Sequence, residues 1–260
     1  MEAIIQSPSE FSKLIGLVAS FDATFNMKCS KKGIHIFCMD GARSSIVQVH
    51  LTVDWFNSYV FTYTESDELE LGIHVDLILK ALKSAQKNDI LTISKKDGDK
   101  LNIILSGADR QLQFEVKLIN IEDEVLEIPD VEYNFQINLS SKYIKNWKKD
   151  IVDNTGNHID FTPMKDKIQL KSQSSDTTIT STVLPNEKLT YTVFNEPSSM
   201  GLGPGPLNIA SKIGDLSDTC DFGWMNGAPI NVKAQLNEGS TVSMWFAPVL
   251  GDEDEEMGDA

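Results

Sequence analysis

An apolar triplet with helical spacing occurs twice in this chain, 133 residues apart. Phe11, Leu14 and Val18 form it in "SEFSKLIGLVAS" (9–20); Ile144, Trp147 and Ile151 form it in "SKYIKNWKKDI" (141–151). "KKGIHI" (31–36) and "KDKIQL" (165–170) align at nearly the same offset. A repeat of this period implies two similar units, each burying its own core. The length of 260 residues gives each unit an ordinary domain size. The expected boundaries are an N-terminal domain 1–118, a connector 119–133, a C-terminal domain 134–250 and an acidic tail 251–260.

Between the repeated helices the chain reads as short strands. Residues 33–40, 44–51, 58–64, 89–96, 100–107 and 111–118 are rich in β-branched and aromatic residues, several with period two. Residues 133–139, 158–164, 166–172, 177–184, 188–194, 229–236 and 241–248 follow the same pattern. Asp97-Gly98 is a hairpin signal. Besides 9–20 and 141–151, helices are expected at 74–87 and 206–213, with Ser9 capping the first and Ser140 or Ser141 the third. "SSMGLGPGPLN" (198–208) is expected to be irregular. The fold class is therefore α+β, with two similar domains of antiparallel sheet and few helices.

The net charge is −15, six of the acids lying in the tail "GDEDEEMGDA", which is expected to be a solvated, disordered end. The four helical segments run against this trend. They hold Lys13, Lys80, Lys83, Lys87, Lys142, Lys145, Lys148, Lys149 and Lys212 against three acids, a net +6 that leaves −21 elsewhere. Two readings fit: lysine is a good helix former on any solvated face, or all four helices face one polyanion. Lysine is a point charge suited to phosphate, and these helices offer few forked side chains for base edges. The second reading therefore means sequence-independent binding to a duplex backbone.

Other classes fail on the residues present. His35, His50, His74 and His158 lack metal-ligand or triad spacing. "GLGPGP" (201–206) lacks the Lys-Ser/Thr ending of a P-loop. No catalytic residues, metal or cofactor are expected, and the chain is expected not to be an enzyme. Three cysteines, odd and unclustered, fit a reducing compartment. No run approaches a membrane span, and "MEAIIQSPSEF" lacks the features of a signal peptide.

"EDEVLEIPDVEY" (122–133) puts Val125, Leu126, Ile128 and Val131 in a segment too acidic for a core. Together with "MDGARSSIVQVHL" (39–51), "NEP" (195–197) and "WFAPVLGDEDEE" (245–256), its "LEIPDVEY" resembles the eukaryotic-type sliding clamps of the proliferating cell nuclear antigen family. The match runs in register over nearly the whole chain. Its divergence elsewhere suits a distant member, such as a viral or protist one.

The resemblance implies a homotrimeric ring, closed head to tail, with helices lining the hole and sheets outside. It encircles double-stranded DNA as a polymerase processivity factor in replication and repair, and a clamp loader opens and closes it. The nine lysines would face DNA. Strands Arg110–Lys117, through Arg110, Phe114 and Lys117, and Thr177–Val183, through Thr177, Ile179 and Val183, would join neighbouring subunits. Partners such as DNA polymerase would bring the motif Gln-x-x-aliphatic-x-x-aromatic-aromatic to a hydrophobic pocket. Its walls would be Leu126, Ile128 and Pro129 of the connector, Met39, Arg43, Ser44 and Ile46, and Pro229, Trp245, Ala247, Pro248 and Val249. Arg43 stands where the family often has histidine, Trp245 where it has tyrosine and Val249 where it has lysine. Ser12, Ala19 and Asn146 stand where inner basic residues are common. The implied location is the nucleus, or a cytoplasmic viral replication site. Two alternatives stay open: a checkpoint-type clamp subunit of a heterotrimer, and an acidic protein-binding scaffold that does not thread DNA.

Overall fold

The computed structural model describes residues 1–96, 98–122, 133–164, 166–193, 199–225 and 227–249. The chain divides into two compact units, Met1–Glu127 with Gln235–Ser243, and Ile128–Ala234 with Met244–Ala260.

The first unit runs β1 (Glu2–Ile5), α1 (Pro8–Val18), β2 (Thr24–Ser30), β3 (Gly33–Met39), β4 (Ser45–Thr52), β5 (Ser58–Val60) and β6 (Glu68–His74). It continues with α2 (Val75–Leu82), β7 (Ile90–Ser94), β8 (Lys100–Ser106) and β9 (Gln111–Lys117). The second runs β10 (Phe135–Ser140), α3 (Lys142–Trp147), a π-helical turn (Lys148–Val152), α4 (Asp153–Thr155), β11 (Ile159–Pro163), β12 (Ile168–Gln173) and β13 (Thr178–Val183). The chain continues with β14 (Leu189–Val193), β15 (Met200–Leu202), α5 (Pro204–Ser211), β16 (Thr219–Trp224), β17 (Ile230–Gln235) and β18 (Thr241–Phe246), Gln235–Ser243 being counted with the first unit.

The repeat seen in the sequence extends to topology. Neighbouring strands follow β5-β1-β7-β8-β9 and β4-β3-β2-β6 in the first set. The second set reads β14-β10-β16-β17-β18 and β13-β12-β11-β15, the same orders advanced by nine strands. β1 pairs antiparallel with β5 and β7, β8 with β7 and β9, β3 with β2 and β4, and β2 with β6; β10 with β14 and β16, β16 with β17, β11 with β12 and β15, and β12 with β13 do the same. In each unit two helices pack together, α1 on α2 and α3 on α5. The repeated triplet is core in both copies: Phe11, Leu14 and Val18, and Ile144, Trp147 and Ile151, are all buried. In the second unit Phe161 stands 5.5 Å from both Trp147 and Phe222 and 6.0 Å from Trp224, ring centre to ring centre. Offset and edge contacts of this kind add to simple burial.

The helix ends differ from the sequence reading for local reasons. Ser7, not Ser9, precedes the first helix, because Pro8 suits its first position. The second helix stops at Leu82 rather than 87, where Asp89 accepts the Gln86 amide at 2.9 Å and Arg110 takes the Ser84 carbonyl at 2.8 Å. The third passes through the π turn and ends at Gly156, whose left-handed φ of 66° caps it. Residues 200–202 and 204–211 form β15 and α5, which corrects the irregular segment expected at 198–208. There Gly203 precedes Pro204 at the first helical position. Asp97 of the expected hairpin lies outside the described residues; Gly98 has φ +86°. Among the described residues, no helix is long and apolar enough to cross a membrane.

Candidate nucleic-acid interface

Lys13 lies on α1, Lys80 on α2, and Lys142 and Lys145 on α3. Lys148 and Lys149 sit in the π turn, and Lys212 in the 3₁₀ turn after α5. Lys83 is the residue after α2, and Lys87 falls in the turn beyond it rather than on a helix. The side chains of Lys13, Lys80, Lys83, Lys87, Lys142 and Lys149 are exposed.

Lys80, Lys145 and Lys148 each have an acidic partner within their own unit among the described residues. Lys80 Nζ donates to Asp76 Oδ2 at 3.0 Å, Lys145 to Asp215 Oδ1 at 2.6 Å, and Lys148 to Asp153 Oδ2 at 2.9 Å. The hydrogen bond from Lys80 is the main reason the Asp76 carboxyl is held below its ordinary range. Asp153 and Asp215 lie just outside the helical segments read from the sequence, so the pattern of lysines gave no sign of them. Solvent-exposed pairs of this kind contribute about 0.2–1 kcal/mol. A phosphate can therefore replace either carboxylate at small cost. Lys13, Lys83, Lys87, Lys142 and Lys149 have no acidic partner among the described residues.

The strands expected at subunit joints are both edges. Among the described residues, β9 pairs only with β8, and β13 only with β12, so each leaves one side of its backbone without a strand partner there. Phe114 and Ile179 are half-buried, Val183 is buried, and Lys117 and Thr177 are exposed. Leu184, one residue past β13, is 60% exposed. An open apolar edge is a pairing surface. Arg110 precedes β9 and turns inward, its Nη2 donating to Asp89 Oδ2 at 2.8 Å.

The residues expected at the partner pocket are described in each unit separately. In the first, Met39 and Ile46 stand opposite each other on β3 and β4, both half-buried. The loop between them is shaped by Asp40, which accepts the Ser44 amide at 2.7 Å, the Ser44 hydroxyl at 2.8 Å and the Ser45 amide at 3.0 Å. Burial alone would raise the Asp40 pKa, but these bonds outweigh it and hold the carboxyl below its usual range. Arg43 is exposed, with a left-handed φ of 57°. At the start of the connector, the Ile119 amide donates to Gly72 O at 2.9 Å and Asn26 Nδ2 donates to Ile121 O at 3.3 Å. Leu126, Ile128 and Pro129 lie outside the described residues.

In the second unit, burial raises the pKa of the Tyr133 hydroxyl and the neighbouring Trp245 side chain partly offsets the rise. The Tyr133 ring lies where a Cβ on residue 223 would stand, about 3.0 Å from it, so Gly223 makes room for it. The Val249 amide donates to Gly201 O at 2.9 Å, and Val249 is 39% exposed. Pro229 and Pro248 are half-buried and Ala247 is exposed.

Comparison with known proteins agrees with this architecture. Residues 1–126 match the family model described as Proliferating cell nuclear antigen, N-terminal domain. The chain is 26% identical over 264 residues to "Proliferating cell nuclear antigen" of Chaetomium thermophilum, covering 98% of this chain and 100% of that one. It is also 26% identical over 258 residues to "Proliferating cell nuclear antigen 2" of Plasmodium falciparum, covering 93% and 96% respectively.

Proposed function

We propose, from the premise that this chain belongs to the proliferating cell nuclear antigen family of DNA sliding clamps, that three copies close head to tail around duplex DNA. The observation that carries this reading is the repeat itself: both units set lysines on or beside their helices in a chain of net charge −15. β9 and β13 supply the open edges for closure, since a head-to-tail contact that closes makes a ring. Lys13, Lys80, Lys83, Lys87, Lys142, Lys145, Lys148, Lys149 and Lys212 contact phosphates rather than bases, so binding is sequence-blind and weakens with salt.

Members of the family are non-enzymatic scaffolds, and this chain is read as one too, with no cofactor. Clamp loader, DNA polymerase and other proteins bearing the Gln-x-x-aliphatic-x-x-aromatic-aromatic motif are its proposed partners. They engage Met39 and Ile46 together with the connector residues Leu126, Ile128 and Pro129 and the C-terminal Pro248 and Val249. The domain limits 1–118, 119–133, 134–250 and 251–260 and a nuclear location belong to the same reading.

Retention on closed circular against linear plasmid tests it. Clamp loaded by its loader stays on circles through gel filtration and slides off linear ends. Equal retention on both would contradict topological linkage. The native mass decides between a homotrimer and a subunit that needs other partners.

A further inference from the structure

The exposed face of β3 and β4 carries two histidines directly opposite each other. His35 pairs with His50 in register, and their rings stand 6.3 Å apart at an interplanar angle of 84°. Residues opposite on antiparallel strands have Cβ atoms about 4.5–5.5 Å apart, so the two side chains share one spot on the sheet. His50 is exposed and His35 half-buried. Gln48, two residues from His50 and on the same face, places its Nε2 2.9 Å from His35 Nε2. The amide donates there, so the imidazole Nε2 accepts, and its lone pair is held by the Gln48 amide. On the far side, Lys28 pairs with His35 in register and is drawn to Glu70 at 2.9 Å.

We propose that His35 and His50 form an open two-histidine site for a divalent transition metal of the zinc class, stitching β3 to β4. Imidazole suits zinc, nickel and copper. A zinc–nitrogen bond of about 2.0–2.1 Å is reached by rotating two rings already this close. Gln48 is the group the ion displaces from His35, or recruits through its side-chain carbonyl. Among the described residues, no group of three or more His, Cys, Asp and Glu side chains is placed to hold a metal. Water therefore completes the coordination and the site is exchangeable. The buried thiols do not compete: Cys29 and Cys38 are pushed up to about 12, which keeps them protonated. The pair lies on the same face of β3 and β4 as Met39 and Ile46, two alternate pairs along. The inference does not rest on the sliding-clamp reading.

Isothermal titration of the full, untagged chain with zinc chloride tests it, beside His35→Gln, His50→Gln, the double variant and His158→Gln. His158 already sits 3.3 Å from Asp160 and serves as the competing candidate. One zinc per chain is expected, weakened by at least about tenfold in each of the first two variants, since even outer-shell partners cost that much. The double variant is expected to show no binding, and His158→Gln unchanged binding. His50 is exposed and His35 half-buried, and far-ultraviolet circular dichroism checks that the variants fold. No zinc binding by the wild type overturns the proposal, as does wild-type affinity in the double variant or loss of binding in His158→Gln.

Discussion

Arg110 Nη2 donates to Asp89 Oδ2 at 2.8 Å, and Asp89 is only 2% exposed. The same guanidinium holds the Ser84 carbonyl at 2.8 Å, so one side chain ties the turn after α2 to the start of β9. Gly107 is part of the arrangement, because a Cβ there would lie 2.6 Å from Asp89 Oδ1. The Gln86 amide does most to hold the Asp89 carboxyl below its usual range, burial opposes it, and Arg110 adds to the lowering. A lowered folded pKa gives stability that is present above the unfolded value of about 3.9 and lost as pH falls through the folded one. Asp89→Asn should therefore be less stable than wild type at pH 7. The gap in urea midpoint should close as pH drops below about 4. Glu115→Gln, which breaks the exposed Lys100–Glu115 pair, should cost far less at pH 7. A gap for Asp89→Asn that stays constant from pH 7 to 3 would show that the charge is not what matters.

Gly72 controls the approach to the connector. A Cβ there would sit 2.2 Å from the Ile119 carbonyl oxygen and 3.1 Å from Ile121 Cγ1. Gly72→Ala must push residues 119–121 off the sheet, breaking the bond from Ile119 N to Gly72 O and the one from Asn26 to Ile121. The expected loss is about 1–3 kcal/mol, the usual range for overpacking. Trypsin should cut faster after Lys117 in the variant, and an unchanged cleavage rate would mean that this segment is not held by the sheet.

The sequence showed the repeat and most of the sheet because apolar spacing reports burial directly. Phe11 and Ile144, or Ile34 and Ile168, need no tertiary context to read as core. Three of the strands it hid have polar or glycine residues in central positions. β2 contains buried Asn26, whose amide is used by Ile121 O. β6 contains Gly72, required by the close approach of Ile119. β16 contains Gly223, required by Tyr133. In each case the residue that weakens the strand signal is explained by a segment distant in sequence. The same holds for the site. The lysines were legible, but Asp153 and Asp215 were not legible as their partners. Nor was the inward turn of Arg110, since Asp89 lies 21 residues away.

Ring closure through β9 and β13 predicts separate effects on assembly and folding. Leu184 is 60% exposed and Phe114 half-buried in the isolated chain, so each contributes less to the monomer than a fully buried residue. Leu184→Asp with Phe114→Ala should shift the particle toward monomer at micromolar concentration in sedimentation velocity. The thermal unfolding of that monomer should remain cooperative. By contrast Phe161→Ala removes a fully buried ring packed on Trp147, Phe222 and Trp224, and should cost about 3–5 kcal/mol. An unchanged oligomer in the Leu184–Phe114 variant would place the subunit joint elsewhere.

The paired and unpaired lysines should respond oppositely to mutation of nearby charge. Lys83 and Lys149 have no acidic partner among the described residues, so charge reversal there removes a phosphate contact outright. Each loss should lower the dependence of log affinity on log salt by roughly 0.9, the share of one neutralised phosphate. Lys145 and Lys148 must first leave Asp215 and Asp153. Releasing such an exposed pair costs up to about 1 kcal/mol, which is roughly fivefold in affinity. Asp215→Asn and Asp153→Asn should therefore each strengthen retention on nicked circular DNA by up to about fivefold at low salt. The gain should fade as salt screens both the pair and the phosphate contact. Fluorescence anisotropy across a salt series measures all four variants on one scale. If the two aspartate variants bind no better than wild type while Lys83→Glu and Lys149→Glu weaken binding, then Lys145 and Lys148 do not contact phosphate. If none of the four changes, the lysines only solvate their helices and the DNA path lies elsewhere on the molecule.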